Sequence, residues 1–228
     1  MAWIVCEDQP LSAEENMEKD CRHLDALQPD SAPQLRFYNW SGDCATYGYF
    51  LQPEEHFDLD QVKQHNLQLA RRPTGGGILF HTDDLAFSIL IPASHPGYHL
   101  NTLENYAYIN HKVSAALRAL GPFHPHLLPT ATPSHPFCMA TPTQYDILLD
   151  GKKVGGAAQR RTKRGYLHQG SLSLSIPPIS LLTTLLKNGA AVAPLMHQNT
   201  FPLLPKNTAK KTFVDQLKKL LITSITAN

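Results

Sequence analysis

The 228-residue chain has no Cys-x-x-Cys pair; its four cysteines, Cys6, Cys21, Cys44 and Cys138, stand far apart. That spacing excludes the usual zinc knuckle and offers no framework for a disulfide-stapled fold. Three of the four are expected to serve as small packing residues. An excess of one charge is also missing: 20 Lys and Arg stand against 19 Asp and Glu, a formal net charge of +1. No broad field therefore draws the chain to nucleic acid or to an anionic membrane. No apolar run approaches the ~20 residues of a spanning helix, and no basic-then-apolar leader opens the sequence. A cytoplasmic protein with neither a membrane nor a nucleic-acid partner is expected. Internal repeats, low-complexity tracts and a long linker are lacking too, so 1–228 reads as a single domain.

Histidine is plentiful, with 12 residues, and His124, His126 and His135 crowd one segment. That segment holds five prolines between Pro122 and Pro136 and shows no helical or hairpin ligand spacing, so a surface loop is expected and no metal site.

Helical periodicity is clear in two places. Ser12-Ala13-Glu14-Glu15 forms a capping box ahead of Met17, Cys21 and Leu24, which predicts a helix over 12–27. A stripe of Tyr106, Ile109, Val113, Ala116, Leu117 and Leu120 predicts another over 101–120, stopped by Gly121-Pro122. Shorter helices are expected at 58–66, 179–186 and 212–222. Strand-like runs fall at 35–40 and 45–50, expected to pair with each other, then at 67–72, 77–81 and 86–91, and in a β-rich block from Tyr145 to Ser175 with a turn at Asp150-Gly151. Helices and strands mix without strict alternation, so the fold class is α+β, with mixed or antiparallel sheets flanked by helices.

Between two of those strands lies Arg71-Arg72-Pro73-Thr74-Gly75-Gly76-Gly77-Ile78-Leu79-Phe80-His81. Three consecutive glycines suit a wide hairpin turn; they also let backbone N–H groups approach a ligand closely, with Arg71 or Arg72 supplying a fixed positive charge. The loop is no P-loop, because Ile78 and Leu79 stand where Lys and Ser or Thr are required, and no dinucleotide fingerprint, because the glycines are contiguous and enter a strand. The apolar Ile78, Leu79 and Phe80 follow the loop directly. In a second block, Lys152-Lys153-Val154-Gly155-Gly156-Ala157-Ala158, a lysine precedes small residues. Each lysine alone suits a solvated turn, whereas a hairpin would set one ammonium beside a close-approach backbone, able to stabilise an acyl carbonyl or oxyanion.

Taken together these motifs resemble the lipoate and octanoate attachment family, whose catalytic fold is that of biotin and lipoate protein ligases. The likeness runs from Asn16-Met17 with Asp20, through Thr46 to Phe50 and the glycine loop, to Lys153 with Gly156-Ala157-Ala158 and Gly170-Ser171. The resemblance implies that acyl chain and any adenylate lie along Arg72, Gly75, Gly76, Gly77, Ile78, Leu79, Phe80 and His81 and along Gly156, Ala157 and Ala158, with a fatty or lipoyl tail in an apolar tunnel at Ile78, Leu79 and Phe80 and Lys153 at the acyl carbonyl or phosphate oxygens. Within the family, transferases take the acyl group from a thioester and one branch parks it on a cysteine, whereas ligases use ATP. Cys138-x-x-x-Pro142-x-x-Tyr145-Asp146 resembles the cysteine branch, and so does the spacing from His81 to Ser88. Cys138 would be the nucleophile, its thiolate favoured by a nearby Lys153. Two departures stand out: His168-Gln169 replaces the usual Gln-His or His-His, and Ala157 replaces Ser.

The activity implied is attachment of an octanoyl or lipoyl group to the lysine of lipoyl domains. No cofactor would be tightly bound, and the acyl donor would be octanoyl-acyl carrier protein, or lipoate with ATP and magnesium in a ligase. Partners would be the lipoyl domains of 2-oxoacid dehydrogenase complexes or the glycine cleavage H protein, together with acyl carrier protein. A non-enzymatic relative that only binds lipoyl domains is the remaining alternative. No C-terminal accessory domain is expected.

Overall fold

The computed structural model describes residues 2–98, 101–130 and 135–227. A first strand, β1 (Ile4–Glu7), leads into helix α1 (Ala13–Ala26). The capping box forms as expected: Ser12 Oγ accepts from the Glu15 N–H at 3.2 Å while Glu15 Oε2 accepts from the Ser12 N–H at 2.8 Å. Next come β2 (Gln34–Tyr38), β3 (Cys44–Tyr47), α2 (Leu59–Gln64), β4 (Gln68–Arg71), β5 (Leu79–His81) and β6 (Asp84–Pro92). Helix α3 (Thr102–Leu120) follows, capped by Asn101, and then β7 (His126–Leu127), β8 (Ile147–Leu149), β9 (Lys152–Lys153), β10 (Gly155–Thr162) and β11 (Gly165–Ser173). Helices α4 (Ile179–Leu185), α5 (Gly189–Asn199) and α6 (Lys210–Thr226) close the order. No helix among the described residues is long and apolar enough to cross a membrane.

The main sheet runs β1-β2-β6-β11-β10, antiparallel except for the parallel β1–β2 pair. Its alternation builds two faces. Leu85, Phe87, Ile89 and Ile91 of β6 point into a core shared with Ile109, Val113 and Leu117 of α3 and Leu217 and Leu221 of α6. Each such burial contributes about 1.5–3 kcal/mol. The opposite face carries Leu90 and Leu167 against Leu24 of α1. A second core, around Phe57, Ile78, Phe80, Leu182 and Leu185, joins a small sheet of order β4-β3-β5 to α2, α4 and α5.

Several expectations need correction. The runs at 35–40 and 45–50 do not pair: β2 lies between β1 and β6, whereas β3 lies between β4 and β5. Gly42, at φ 151°, turns the chain out of the first sheet, and long-range partners then decide the pairing. The glycine loop is not a hairpin turn either, because β4 and β5 flank β3 on opposite sides. The proline-rich stretch contains β7, paired with β8; its residues 131–134 lie outside the described residues. The turn at Asp150-Gly151 is as expected, with φ of 50° and 74° and Leu149 opposite Lys152, the two-residue loop that favours Asp-Gly.

Candidate active site

A narrow cleft with about 400 Å³ of empty space lies between the α1 face of the main sheet and the small sheet. Residues from six separate segments line it: Met17 of α1; Tyr38 and Trp40; Thr46; Arg72, Gly76 and Gly77; Leu79 and His81; and Cys138. Gly156, Ala157 and Ala158 of β10 and Gln169, Gly170 and Ser171 of β11 close the other side.

Cys138 sits in a turn held from two sides. Ile78 N–H donates to Pro136 O at 2.6 Å and Cys138 N–H donates to Ile78 O at 2.9 Å. At the other end of the turn, Asn199 Nδ2 donates to Ala140 O at 2.6 Å. Two glycines make room for it. A Cβ on Gly77 would lie 2.4 Å from Pro136 O, and one on Gly156 would lie 2.9 Å from Cys138 Sγ.

Lys153 points inward from β9 and is 1% exposed, unlike its exposed neighbour Lys152. Its Nζ donates to Cys138 Sγ at 3.2 Å and to Cys138 O at 2.9 Å, and pairs with Asp146 Oδ2 at 2.7 Å. Asp146 is fixed in turn by the Tyr106 hydroxyl at 2.6 Å and by the Thr143 N–H at 2.6 Å. Burial opposes the ammonium, yet the Cys138 sulfur and the Asp146 carboxylate outweigh it, and the Lys153 pKa rises above its ordinary value.

The glycine loop is anchored through Arg72, which is buried. Its guanidinium donates to Thr46 O at 2.9 Å, to Thr46 Oγ1 at 2.8 Å and to Gly77 O at 2.6 Å. Burial lowers its pKa. Arg71 takes no part in this and lies over the Tyr49 ring. Further in, Thr46 Oγ1 meets His81 Nε2 at 2.8 Å, His81 Nδ1 meets Asp84 Oδ2 at 2.6 Å, and Ser171 donates to the same oxygen at 2.6 Å. From α1, Asp20 accepts from Gln169 at 2.7 Å, and Gln169 accepts from Thr74 Oγ1 at 2.8 Å, which ties the helix to the loop.

The structure thus brings together Arg72, Gly76, Gly77, Leu79, His81, Cys138, Gly156, Ala157 and Ala158 around one cleft, with Lys153 directly behind the sulfur. Ile78 and Phe80 do not line it. They turn into the second core, because side chains alternate along a strand and Leu79 takes the cleft side. Gly75 lies outside the lining as well, and its carbonyl accepts from Arg72 at 3.3 Å. The residues that sequence reasoning passed over are Tyr106, read only as part of a helical stripe, and Tyr38 and Trp40, covered only by a strand-like run. Asp146 appeared in the cysteine motif without a role. Of the two departures, Gln169 faces the cleft whereas His168 faces away, its Nδ1 2.9 Å from Gln159 and its ring near Phe87.

Residues 12–221 match the model of the lipoyl protein ligase A/B catalytic domain. The chain is 32% identical over 152 residues to an octanoyltransferase LipM of Geobacillus kaustophilus, covering 63% of this chain and 55% of that protein. It is 33% identical over 177 residues to the LipM of Oceanobacillus iheyensis, covering 76% and 64%. It therefore spans less than two thirds of the length of these relatives. Among solved structures, a lipoate-protein ligase A bound with ATP superposes with a TM-score of 0.77 at 24% identity, covering 98% of this chain and 83% of that one. The bipartite lipoate protein ligase of Thermoplasma acidophilum, described with its E2 lipoyl domain, gives 0.77 at 23%, covering 99% and 84%. At these identities the structural likeness establishes the fold.

Proposed function

The chain belongs to the lipoyl protein ligase A/B catalytic-domain family, and from that premise we propose that it is an octanoyltransferase working through an acyl-cysteine. The observation that carries this reading is the 3.2 Å approach of the buried Lys153 ammonium to Cys138 Sγ at the mouth of an apolar cleft. A ligase that activates its acid as an adenylate has no use for a sulfur held there, and the LipM relatives support the transferase side.

In the first half-reaction the Cys138 thiolate, ion-paired with Lys153, attacks the carbonyl carbon of an octanoyl thioester. The ammonium polarises the carbonyl as charge develops on its oxygen. The carrier sulfur leaves with its bonding electrons and takes a proton from Lys153, which becomes neutral. In the second half, the amine of an acceptor lysine attacks the acyl-cysteine, the Cys138 sulfur leaves as thiolate, and the neutral Lys153 takes the proton that the new amide nitrogen sheds. The cycle consumes thioester and amine, yields amide and thiol, and returns Cys138 and Lys153 to their starting states. The tail lies between Leu79, Met17 and Trp40, where apolar surface is available.

Transfer of labelled octanoyl from acyl carrier protein to a lipoyl domain, followed with and without ATP, tests this. Transfer that proceeds without ATP is expected. Modification of the domain only when free lipoate or octanoate is supplied with ATP would overturn it in favour of a ligase, and binding of the domain without modification under either condition would make the chain a non-enzymatic relative.

A further inference from the structure

Beside the acyl cleft, and sharing Met17 and Arg72 with it, lies a wider, more open one that the reaction above does not use. One wall belongs to β4, the loop after it and β10. There two guanidiniums lie over the Tyr49 ring, Arg71 Cζ at 5.0 Å and Arg160 Cζ at 5.9 Å from its centre. Neither arginine forms an ion pair with a carboxylate among the described residues, although Lys19, Arg36, Lys153, Lys210, Lys211 and Lys218 all do. Among the described residues the Arg160 side chain makes one hydrogen bond, a long one of 3.4 Å to Pro73 O. The opposite wall is α1, with Glu14 and Glu18.

Two forked guanidiniums with free donors suit a phosphate oxygen pair. Acids on the facing wall disfavour a broad acidic protein surface and leave room for a slender group bearing a single negative charge. Such a group is a phosphodiester within a flexible arm. Arg72 joins the two clefts, so an arm seated here continues toward Cys138.

We propose that Arg71 and Arg160, set about Tyr49, bind the phosphodiester of the arm that carries the acyl thioester into the active cleft. The proposal rests on the transferase reading and adds to it how the donor is held. It concerns the first half-reaction alone, since the acceptor lysine carries no phosphate.

The test compares two donors for acylation of Cys138, read by intact mass: octanoyl-acyl carrier protein, and octanoyl-N-acetylcysteamine, which has the same thioester and no phosphate. In the double variant Arg71→Ser/Arg160→Ser the acylation rate constant with the carrier should fall about tenfold or more, as expected for loss of charge-assisted hydrogen bonds. With the short donor it should stay within about twofold of wild type. Arg71→Lys/Arg160→Lys should recover part of the loss. Equal loss with both donors would overturn the proposal by assigning the arginines a structural role. Unchanged acylation by the carrier would overturn it too, and so would a defect confined to transfer onto the lipoyl domain, which would make this the acceptor's surface. Wild-type protein acylated by neither donor would overturn the transferase reading itself, an outcome separate from the other three.

Discussion

Lys153 and Asp146 are 1% and 2% exposed, and each is the other's charge partner. A buried pair of this kind adds little over an apolar pair of equal volume, but breaking it strands a charge. Asp146→Asn is therefore expected to lower stability by about 3–5 kcal/mol and to slow Cys138 acylation at least tenfold, because the ammonium loses the group that aims it. Tyr106→Phe removes one hydrogen bond to the carboxylate and should cost about 1–3 kcal/mol with a smaller loss of rate. Urea unfolding alongside single-turnover acylation checks both. Asp146→Asn acylated at the wild-type rate would show that Lys153 needs no positioning. Of this cluster, Cys138 and Lys153 were legible from the motif that resembles the cysteine branch. The burial of Lys153 was not, since a lysine after Asp-Gly ordinarily points to water and only the tertiary placement of Asp146 reverses that.

At the scale of elements, the glycine loop and the Cys138 turn are one unit, joined through Ile78 and packed at distances that two glycines permit. Gly77→Ala places a Cβ 2.4 Å from a backbone oxygen that cannot swing aside; a loss of about 1–3 kcal/mol, read as a lowered Tm, is expected. Gly156→Ala meets the Cys138 sulfur and the movable tip of Leu79, so it should slow acylation far more than it lowers Tm. Equal Tm losses for the two would contradict this division. The sequence announces α1 and α3 because capping boxes and 3.6-residue stripes are local, and the Asp150-Gly151 turn for the same reason. It conceals β1, a four-residue strand fixed by a parallel partner, and α5, whose Pro194 reads as a breaker. It also misassigns β2 and β3 as partners. Pairing is decided by β6 and β5, which lie much further along the chain, and no local pattern carries that information.

At the scale of the whole molecule, the titration of His168 contributes to acid stability, alongside those of His23 and His95, whose pKa values burial also lowers. His168 is fully buried with no partner for Nε2, and burial drops its pKa to about 3 from an ordinary 6.5. Between those values the unfolded chain binds the proton and the folded one does not. The contribution is therefore intact above pH 6.5 and lost as pH falls towards 3, at about 1.4 kcal/mol per pH unit. In His168→Asn, urea unfolding from pH 7 to 4 should show a shallower decline than wild type; equal slopes would contradict the assignment. The same fold-level view frames the site: α1, the main sheet and the small sheet wall the cleft, Lys153 comes from a separate β7-β8-β9 sheet and Cys138 from the turn tied to Ile78, so only the assembled fold sets the two side by side. Incubation with octanoyl-acyl carrier protein in the absence of ATP, followed by intact-mass measurement of wild type and Cys138→Ala, tests that central claim most directly. The account predicts an octanoyl adduct on wild type that is absent from the variant; an adduct that persists in Cys138→Ala, or none on either protein, would contradict it.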